Sequence, residues 1–496
     1  MYILSIDQGT TGTTSLLIEM ESMKVIDKVN REFPQIYPKP GWVEHNLNDI
    51  WDSVKSATKE LFKKNNISSN DISTIGITNQ RETTCAFDRA GNPLANAIVW
   101  QDRRTANFCE ELKKQDLTDL FHKRTGLPID SYFSGTKINW LLNNNLKVQE
   151  HAKNDDLLFG TIDTFLLYKL TGGESYNTDV TNASRTLLMD IAKCEWDEEL
   201  LKHLSVDKNQ LPTISESFSS FGKTKSLSFL EDGIPITGIL GDQQAALFGQ
   251  ACFNKGESKC TYGTGAFMLL NTGTEKHYSK NGLLTTVAYK FEGKTYYALE
   301  GSTYIAGACI QWLRDNLKFF KDSAEVEKEA RKVKSLSDVE NVFFFPFFTG
   351  IGSPYWNSEV QASITGLTRG TGIPEISRAA MEGVSFSIND LITAFNKDSG
   401  SELQSLKVDG GAVVNDLWME IQASCSNLNI IRPQVIETTA LGAAMAASVG
   451  LGAKDLDSLK DLWSEEKTFT PSSDTQYFKT KYSNWSASIA QMIKLP

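Results

Sequence analysis

Five polar segments in this chain place residues at spacings that can do chemistry. Asp7-Gln8-Gly9-Thr10-Thr11 is the first. A glycine in a tight hairpin permits positive φ and lets successive N–H groups point at one anion, and threonine hydroxyls add donors. Asp7 beside a phosphate is repulsive unless Mg²⁺ sits between them, and that ion takes one or two carboxylates together with water and phosphate oxygens. A plain polar hairpin turn is the bland reading. The echo at Thr261-Tyr262-Gly263-Thr264-Gly265 brings the two readings close to even. Gly241-Asp242-Gln243-Gln244 follows an apolar run at the place where open α/β sheets bind ligands. Asp242 there is either a helix N-cap or a general base for a hydroxyl. Val408–Asn415 carries Gly410-Gly411, which lets a flat ligand approach the backbone or merely turns a strand into a capped helix. Thr78–Thr84 holds Arg81-Glu82, either a surface pair or a donor and an acceptor for a neutral polyol.

Familiar nucleotide motifs are missing. Gly222-Lys223-Thr224 and Gly293-Lys294-Thr295 resemble the end of a P-loop, but Ser217 and Ala288 stand where its first glycine belongs. No Gly-x-Gly-x-x-Gly follows a strand.

The elements that must position these segments alternate between strand and helix. Strands are expected at 2–7, 13–18, 24–32, 72–78, 83–87 and 234–240, with a helix over 48–63 whose apolar face is Ile50, Trp51, Val54, Ala57, Leu61 and Phe62. A helix begins at about Gln243. The pattern then restarts: strand 258–262, a Gly-Thr-Gly turn, strand 266–270. Two halves that each open on a strand–Gly-Thr–strand hairpin suggest an internal duplication. The expected division is 1–248 and 249–496, with helices in the second half at 303–317, 375–396, 414–425 and 438–449. The fold class is α/β, with mixed sheets flanked by helices.

Composition narrows the function. The 496 residues exceed what one core supports, and 40% apolar with 22% charged residues is ordinary for a globular protein. A formal charge of −11 disfavours nucleic acid and anionic lipid as partners, so any phosphate site has to be built locally. The seven cysteines and five histidines are scattered, with no disulfide framework or zinc spacing. No secretory signal is read at the N-terminus. The greasiest run, Val342–Phe348, is too short for a membrane span and reads as a buried strand. A cytoplasmic protein is expected.

Taken in order, these segments resemble the glycerol-phosphorylating members of the FGGY carbohydrate kinase family, within the actin–hexokinase–heat-shock ATPase superfamily. The resemblance runs over nearly the whole chain. It includes Tyr37–His45, Ile77–Thr83, Asn96–Gln101, Tyr132–Lys137, Thr181–Thr186, Gly241–Gly249, Thr261–Gly265 and Ala440–Ala444. It implies two actin-like (ribonuclease H-like) domains with a cleft between them, ATP and Mg²⁺ as cofactors, and glycerol as acceptor. Arg81, Glu82, Tyr132, Asp242 and Gln243 match positions that hold glycerol hydroxyls, and Trp100 and Phe267 match aromatics against its carbon face. Thr10, Thr11, Thr264, Gly307, Gln311, Gly411 and Asn415 match nucleotide contacts, as does Gly12, which aligns with a serine. Asp7 matches the carboxylate nearest Mg²⁺, and Asp242 the catalytic base. A homo-oligomer, dimer or tetramer, is expected. One departure is Thr14, where relatives commonly carry arginine. It removes a cation and bears on nucleotide affinity more than on reaction type. The rival expectations are a kinase for another polyol or a pentulose, an ATP-driven chaperone or filament protein, and a catalytically dead regulator.

Overall fold

The computed structural model describes residues 1–494. Six strands form the first sheet: β1 (Tyr2–Gln8), β2 (Gly12–Glu19), β3 (Val25–Glu32), β4 (Ile72–Asn79), β5 (Phe218–Lys223) and β6 (Pro235–Gly241). Their order is β3-β2-β1-β4-β6-β5, with β1, β4 and β6 mutually parallel and the other pairs antiparallel. Seven strands form the second sheet: β7 (Ser258–Tyr262), β8 (Ala266–Gly273), β9 (Leu284–Phe291), β10 (Lys294–Thr303), β11 (Ser405–Asp409), β12 (Asn429–Pro433) and β13 (Glu465–Phe469). Their order is β9-β10-β8-β7-β11-β12-β13. With β9 and the two edge strands β5 and β13 set aside, β10-β8-β7-β11-β12 repeats the order and strand senses of β3-β2-β1-β4-β6 in the first sheet. The duplication expected from the two hairpins is thus present in the topology.

Local sequence explains the main helices. Helix α1 (Leu47–Asn65) starts where the Asn46 side chain accepts the Asn48 N–H, and it ends on Asn66 in the left-handed region. Leu47, Ile50, Val54, Ala57, Leu61 and Phe62 are buried at helical spacing against the first sheet. Helix α2 (Asp242–Gly249) leaves β6 directly, and α3 (Gly307–Asp315) begins three residues after β10. The long α4 (Ile373–Ser399), whose first turn holds a proline, anchors the second core with α5 (Asp416–Ser426).

Helix α6 (Thr438–Gly450) follows β12, yet it packs on the first sheet, along β6, β4 and β1, and crosses α2. The approach is close because glycines lie at the crossing. A Cβ on Gly442 would fall 1.8 Å from the Ala245 carbonyl oxygen, and one on Gly249 would fall 2.0 Å from that of Thr438. The Ser5 hydroxyl donates to the Ala440 carbonyl, and that of Thr237 to Ala447, both at 2.7 Å. The α2–α6 pair is therefore the seam between the two sheets.

Some boundaries differ from expectation. Val342–Phe348 yields a strand only over Phe343–Phe345, paired with Ser363–Thr365, because Pro346 has no N–H to continue the ladder. The helix expected from 303 starts at Gly307, since β10 runs through Thr303. Helix α2 ends at Gly249, at the expected division between the halves. All seven cysteines are free and buried, and among the described residues no helix is long and apolar enough to cross a membrane.

Candidate active site

Parallel strands end together, and in both sheets those ends carry the polar segments. Asp7 pairs with Thr78, Gln8 with Asn79, and Gly241 with Asn79, so Asp7, the Asn79–Thr83 loop and Asp242 emerge at one edge of the first sheet. Thr261 lies beside Asp409 in the second sheet, with its hydroxyl 2.6 Å from that carboxylate.

The first hairpin closes with Gly9 N–H to the Gly12 carbonyl at 2.9 Å, leaving Thr10 half-buried and Thr11 exposed at its tip. It is braced from below. Gln80 Nε2 reaches the Gly9 carbonyl and Gln8 Oε1, both at 3.1 Å, and Gln35 Nε2 reaches the Thr10 carbonyl at 3.0 Å. Buried His45 joins Gln35 to Gln80, and burial lowers its imidazole to about 4, so it stays neutral at ordinary pH. The second hairpin closes with Gly263 N–H to the Gly265 carbonyl. Gly307 and Ala308, in the first turn of α3, donate to the Gly263 and Thr264 carbonyls at 2.9 and 3.1 Å. Those α3 donors thus fix the hairpin. Gln311 is exposed one turn further along.

Asp7 is half-buried, and its carboxyl is pushed up to about 8, by burial first and then by Asp242 and Glu437. Each of these influences disfavours the anion, a setting that a bound cation would relieve. Among the described residues no group of three or more His, Cys, Asp or Glu could hold a metal by itself. A lone carboxylate suits a magnesium ion that takes its other ligands from water and phosphate.

Arg81 and Glu82 are not a surface pair: they are 2% and 1% exposed. Glu82 has φ +60° and sits at the centre of a three-residue turn closed by Thr83 N–H to the Arg81 carbonyl at 2.7 Å, a strained geometry for a side-chain-bearing residue. Its carbonyl accepts from the Ser134 and Thr84 hydroxyls and from Lys137 Nζ, at 3.0, 3.2 and 3.2 Å. Lys137 also donates to the Tyr132 carbonyl at 2.7 Å, and burial lowers its ammonium to about 7. The Glu82 carboxylate accepts from Arg185 Nε at 2.6 Å. Arg81 places Nη1 and Nη2 on Glu300 at 2.6 and 2.8 Å, and Glu300 also takes Arg185 Nη2 at 3.1 Å. Two guanidiniums and two carboxylates are therefore buried with no net charge, which is how such groups survive desolvation.

Asp242 does not cap its helix, as one sequence reading had it: the N-cap is Gly241, and Asp242 is the first helical residue. Its Oδ1 accepts the Gln243 N–H at 2.7 Å and lies 3.0 Å from Arg81 Nε. The latter is a charge contact without an aligned N–H, so Arg81 Nε remains a buried donor with no acceptor, as does Arg185 Nη1. Gly241 makes room for this arrangement, since a Cβ there would meet Arg81 Cδ at 2.7 Å.

Aromatic rings wall the same place. Trp100 meets Tyr132 edge-on at 5.7 Å and Phe267 at 6.3 Å, and its indole N–H donates to the Thr10 hydroxyl at 2.9 Å. Gln243 Oε1 accepts from buried Lys259 at 2.5 Å, and Lys259 also holds the Thr261 hydroxyl at 2.8 Å. Gly410, at φ +91°, is pressed against Tyr262, while Gly411 is exposed with open space beside its Cα. Asn415 caps α5 through Trp418 N–H at 2.9 Å, the bland role allowed for it. Thr14 receives Asn30 Nδ2 at 2.9 Å, within the β2–β3 pair.

The structure therefore unites Arg81, Glu82, Trp100, Tyr132, Asp242, Gln243 and Phe267, and joins Thr10 to them. Among the described contacts none links Thr11, Gln311 or Asn415 to that group. Sequence reasoning gave no role to Lys137, Arg185, Lys259 or Glu300. The first two lie inside motifs quoted for the resemblance, whereas Lys259 and Glu300 carry no local signal.

Comparison with known proteins agrees with this architecture. Residues 2–249 match the N-terminal domain of the FGGY family of carbohydrate kinases, and residues 258–451 match its C-terminal domain. A glycerol kinase of Staphylococcus epidermidis is 47% identical over 100% of this chain and 99% of its own. The crystal structure of Plasmodium falciparum glycerol kinase with ADP superposes with a TM-score of 0.90 at 38% identity, covering 100% of this chain and 99% of that one. A gluconate kinase from Lactobacillus acidophilus shares the fold, with a TM-score of 0.87 at 22% identity over 99% and 98% of the two chains. With both domain matches and a full-length relative at nearly half identity, this chain belongs to the FGGY family of carbohydrate kinases.

Proposed function

We propose that the chain is an ATP-dependent glycerol kinase, transferring the γ-phosphate of ATP to a terminal hydroxyl of glycerol to give sn-glycerol 3-phosphate. The observation that carries this reading is the buried, charge-balanced Arg81–Glu82–Arg185–Glu300 group beside Asp242 and three aromatic side chains. Carrying no net charge, it suits an uncharged, hydroxyl-rich ligand, and Trp100, Tyr132 and Phe267 suit that ligand's carbon face. The full-length relatives named glycerol kinase support the same acceptor.

Asp242 accepts the proton of the attacking hydroxyl, with its carboxylate aimed by the Gln243 N–H and by Arg81. Phosphoryl transfer has a loose transition state, so this proton can leave late and positioning dominates. The two hairpins present Thr10, Thr11, Gly12 and Thr264 to the phosphates, while Gly307, Gln311, Gly411 and Asn415 receive the rest of the nucleotide. Asp7 would hold magnesium, which when bound neutralises phosphate charge and relieves the carboxylate's unfavourable setting. The full reading places the protein in the cytoplasm as a dimer or tetramer, which light scattering on the purified protein measures.

The deciding experiment is incubation with Mg-ATP and a panel of glycerol, dihydroxyacetone, erythritol and a pentulose, with identification of the product. Glycerol 3-phosphate is expected. Far better phosphorylation of another acceptor overturns the substrate.

A further inference from the structure

One carboxylate of the acceptor site belongs to the other half of the molecule. Glu300 lies on β10 of the second sheet, 1% exposed, whereas Arg81, Glu82 and Arg185 extend from the first domain. Its two oxygens grip Arg81 at 2.6 and 2.8 Å, a fork that fixes the plane of the guanidinium, and one of them also holds Arg185 at 3.1 Å. Burial alone would push the Glu300 carboxyl up, but Arg185 and Arg81 overcome it and hold it at about 2. The first domain offers no substitute carboxylate, because Glu82 is committed to Arg185 at 2.6 Å and stands 3.9 Å from Arg81, while the uncharged Gln244 Oε1 of α2 takes Arg81 Nη1 at 3.2 Å. The other carboxylate beside Arg81 is Asp242, at 3.0 Å. An Arg81 released from Glu300 is free to turn one edge of its guanidinium onto Asp242, where it would occupy the group that receives the acceptor's proton.

We propose that Glu300 is a positioning residue that holds Arg81 and Arg185 in place for the acceptor, keeps Arg81 from closing on Asp242, and so makes the acceptor site depend on the seating of the second domain. The inference rests on the reading of the cleft as a polyol kinase. It assigns Glu300 no contact with the acceptor itself.

The test compares Glu300→Gln and Glu300→Asp with the wild type, using Mg-ATP and the best acceptor of the polyol panel. Removing one partner of a buried charged hydrogen bond leaves the other unpaired, so Glu300→Gln is expected to raise the acceptor KM by about tenfold or more while the ATP KM stays within about twofold. Glu300→Asp restores the charge at shorter reach, so its acceptor KM is expected between those of wild type and Glu300→Gln. A packing role predicts the reverse order, because Gln preserves volume and Asp does not. An acceptor KM for Glu300→Gln within about twofold of wild type overturns the proposal, as does a parallel rise in both KM values or a Glu300→Asp variant worse than Glu300→Gln. If the best acceptor is not glycerol, the substrate reading falls and these ratios still judge Glu300. If no acceptor is phosphorylated, the functional reading falls and a crystal structure of Glu300→Gln decides. A guanidinium turned onto Asp242 supports the proposal, and one within about 0.5 Å of its wild-type place overturns it.

Discussion

Asp242 and Asp7 show how two carboxylates at one sheet edge take different tasks from their neighbours. Asp242 has an N–H and a guanidinium beside it, and it can receive a proton in place. Asp242→Asn keeps the shape but loses the basic oxygen, so kcat is expected to fall by about 10²–10⁴-fold while the acceptor KM changes little. Steady-state kinetics with a melting curve check this, and turnover near wild type would reduce Asp242 to a helix-start residue. Asp7 has only repulsive neighbours, and its folded-state value near 8 lies above its ordinary 3.8. In metal-free protein the proton on Asp7 therefore favours the folded state. That stabilisation is complete below about 3.8 and gone once pH has risen through about 8. Asp7→Asn removes this loss, so in EDTA the variant's melting temperature relative to wild type is expected to gain several degrees between mildly acidic and alkaline pH. Its kinase activity is expected to fall by about two orders of magnitude or more. A melting-temperature gap that does not widen with pH would mean that Asp7 already has a cationic partner. The sequence made Asp7, Asp242 and the Arg81-Glu82 pair legible as chemistry. It could not show that Arg81 is buried against a carboxylate 219 residues away, because burial and long-range pairing leave no local pattern.

At the scale of elements, local signals predicted strand and helix well where each element's pattern was its own. Ile3, Leu4 and Ile6 make β1 a short, continuously buried apolar run, and Cys260 and Tyr262 are buried in β7, each strand next to a Gly-Thr turn, so both hairpins are legible. The sequence pattern starts α3 four residues too early because residues 303–306 continue the apolar run into the helix. What ends the strand and delays the helix is the Ala306 N–H bonding to Thr264, a contact from another hairpin. The α2–α6 seam is legible as two helices and not as a crossing, since nothing local in the alanine-rich run 440–447 says which surface its small residues meet. Their size has a consequence that can be measured. In Gly442→Ala the added methyl would fall 1.8 Å from the Ala245 carbonyl oxygen, so the backbones must part. A loss of about 1–3 kcal/mol in urea unfolding is expected, although alanine has the better helix propensity. An unchanged midpoint would show that α2 and α6 can separate freely.

For the whole molecule, two sheets that share a five-strand order present their parallel-strand ends to one another, and Arg81–Glu300 and Gln243–Lys259 already bridge them. Hinge closure around ligands excludes water and favours transfer to the acceptor over ATP hydrolysis. Small-angle scattering is expected to show a smaller radius of gyration with glycerol and a non-hydrolysable ATP analogue together than with either alone. Identical curves would mean that the chain rests closed. The placement of α6 also bears on how the protein is made. Ile3, Leu16, Ile18 and Leu240 of the first sheet share an apolar cluster with Ala440, Leu441, Ala444 and Met445 of α6. A ribosome completes the first sheet roughly 200 residues before it delivers that cover, a delay on the order of 10–40 s at typical synthesis rates. During that interval the nascent first half carries a greasy face that α2 and the early strands of the second sheet cover only in part. Truncation before α6 leaves that face partly uncovered permanently, so the two halves are partners in biogenesis as well as in the finished cleft.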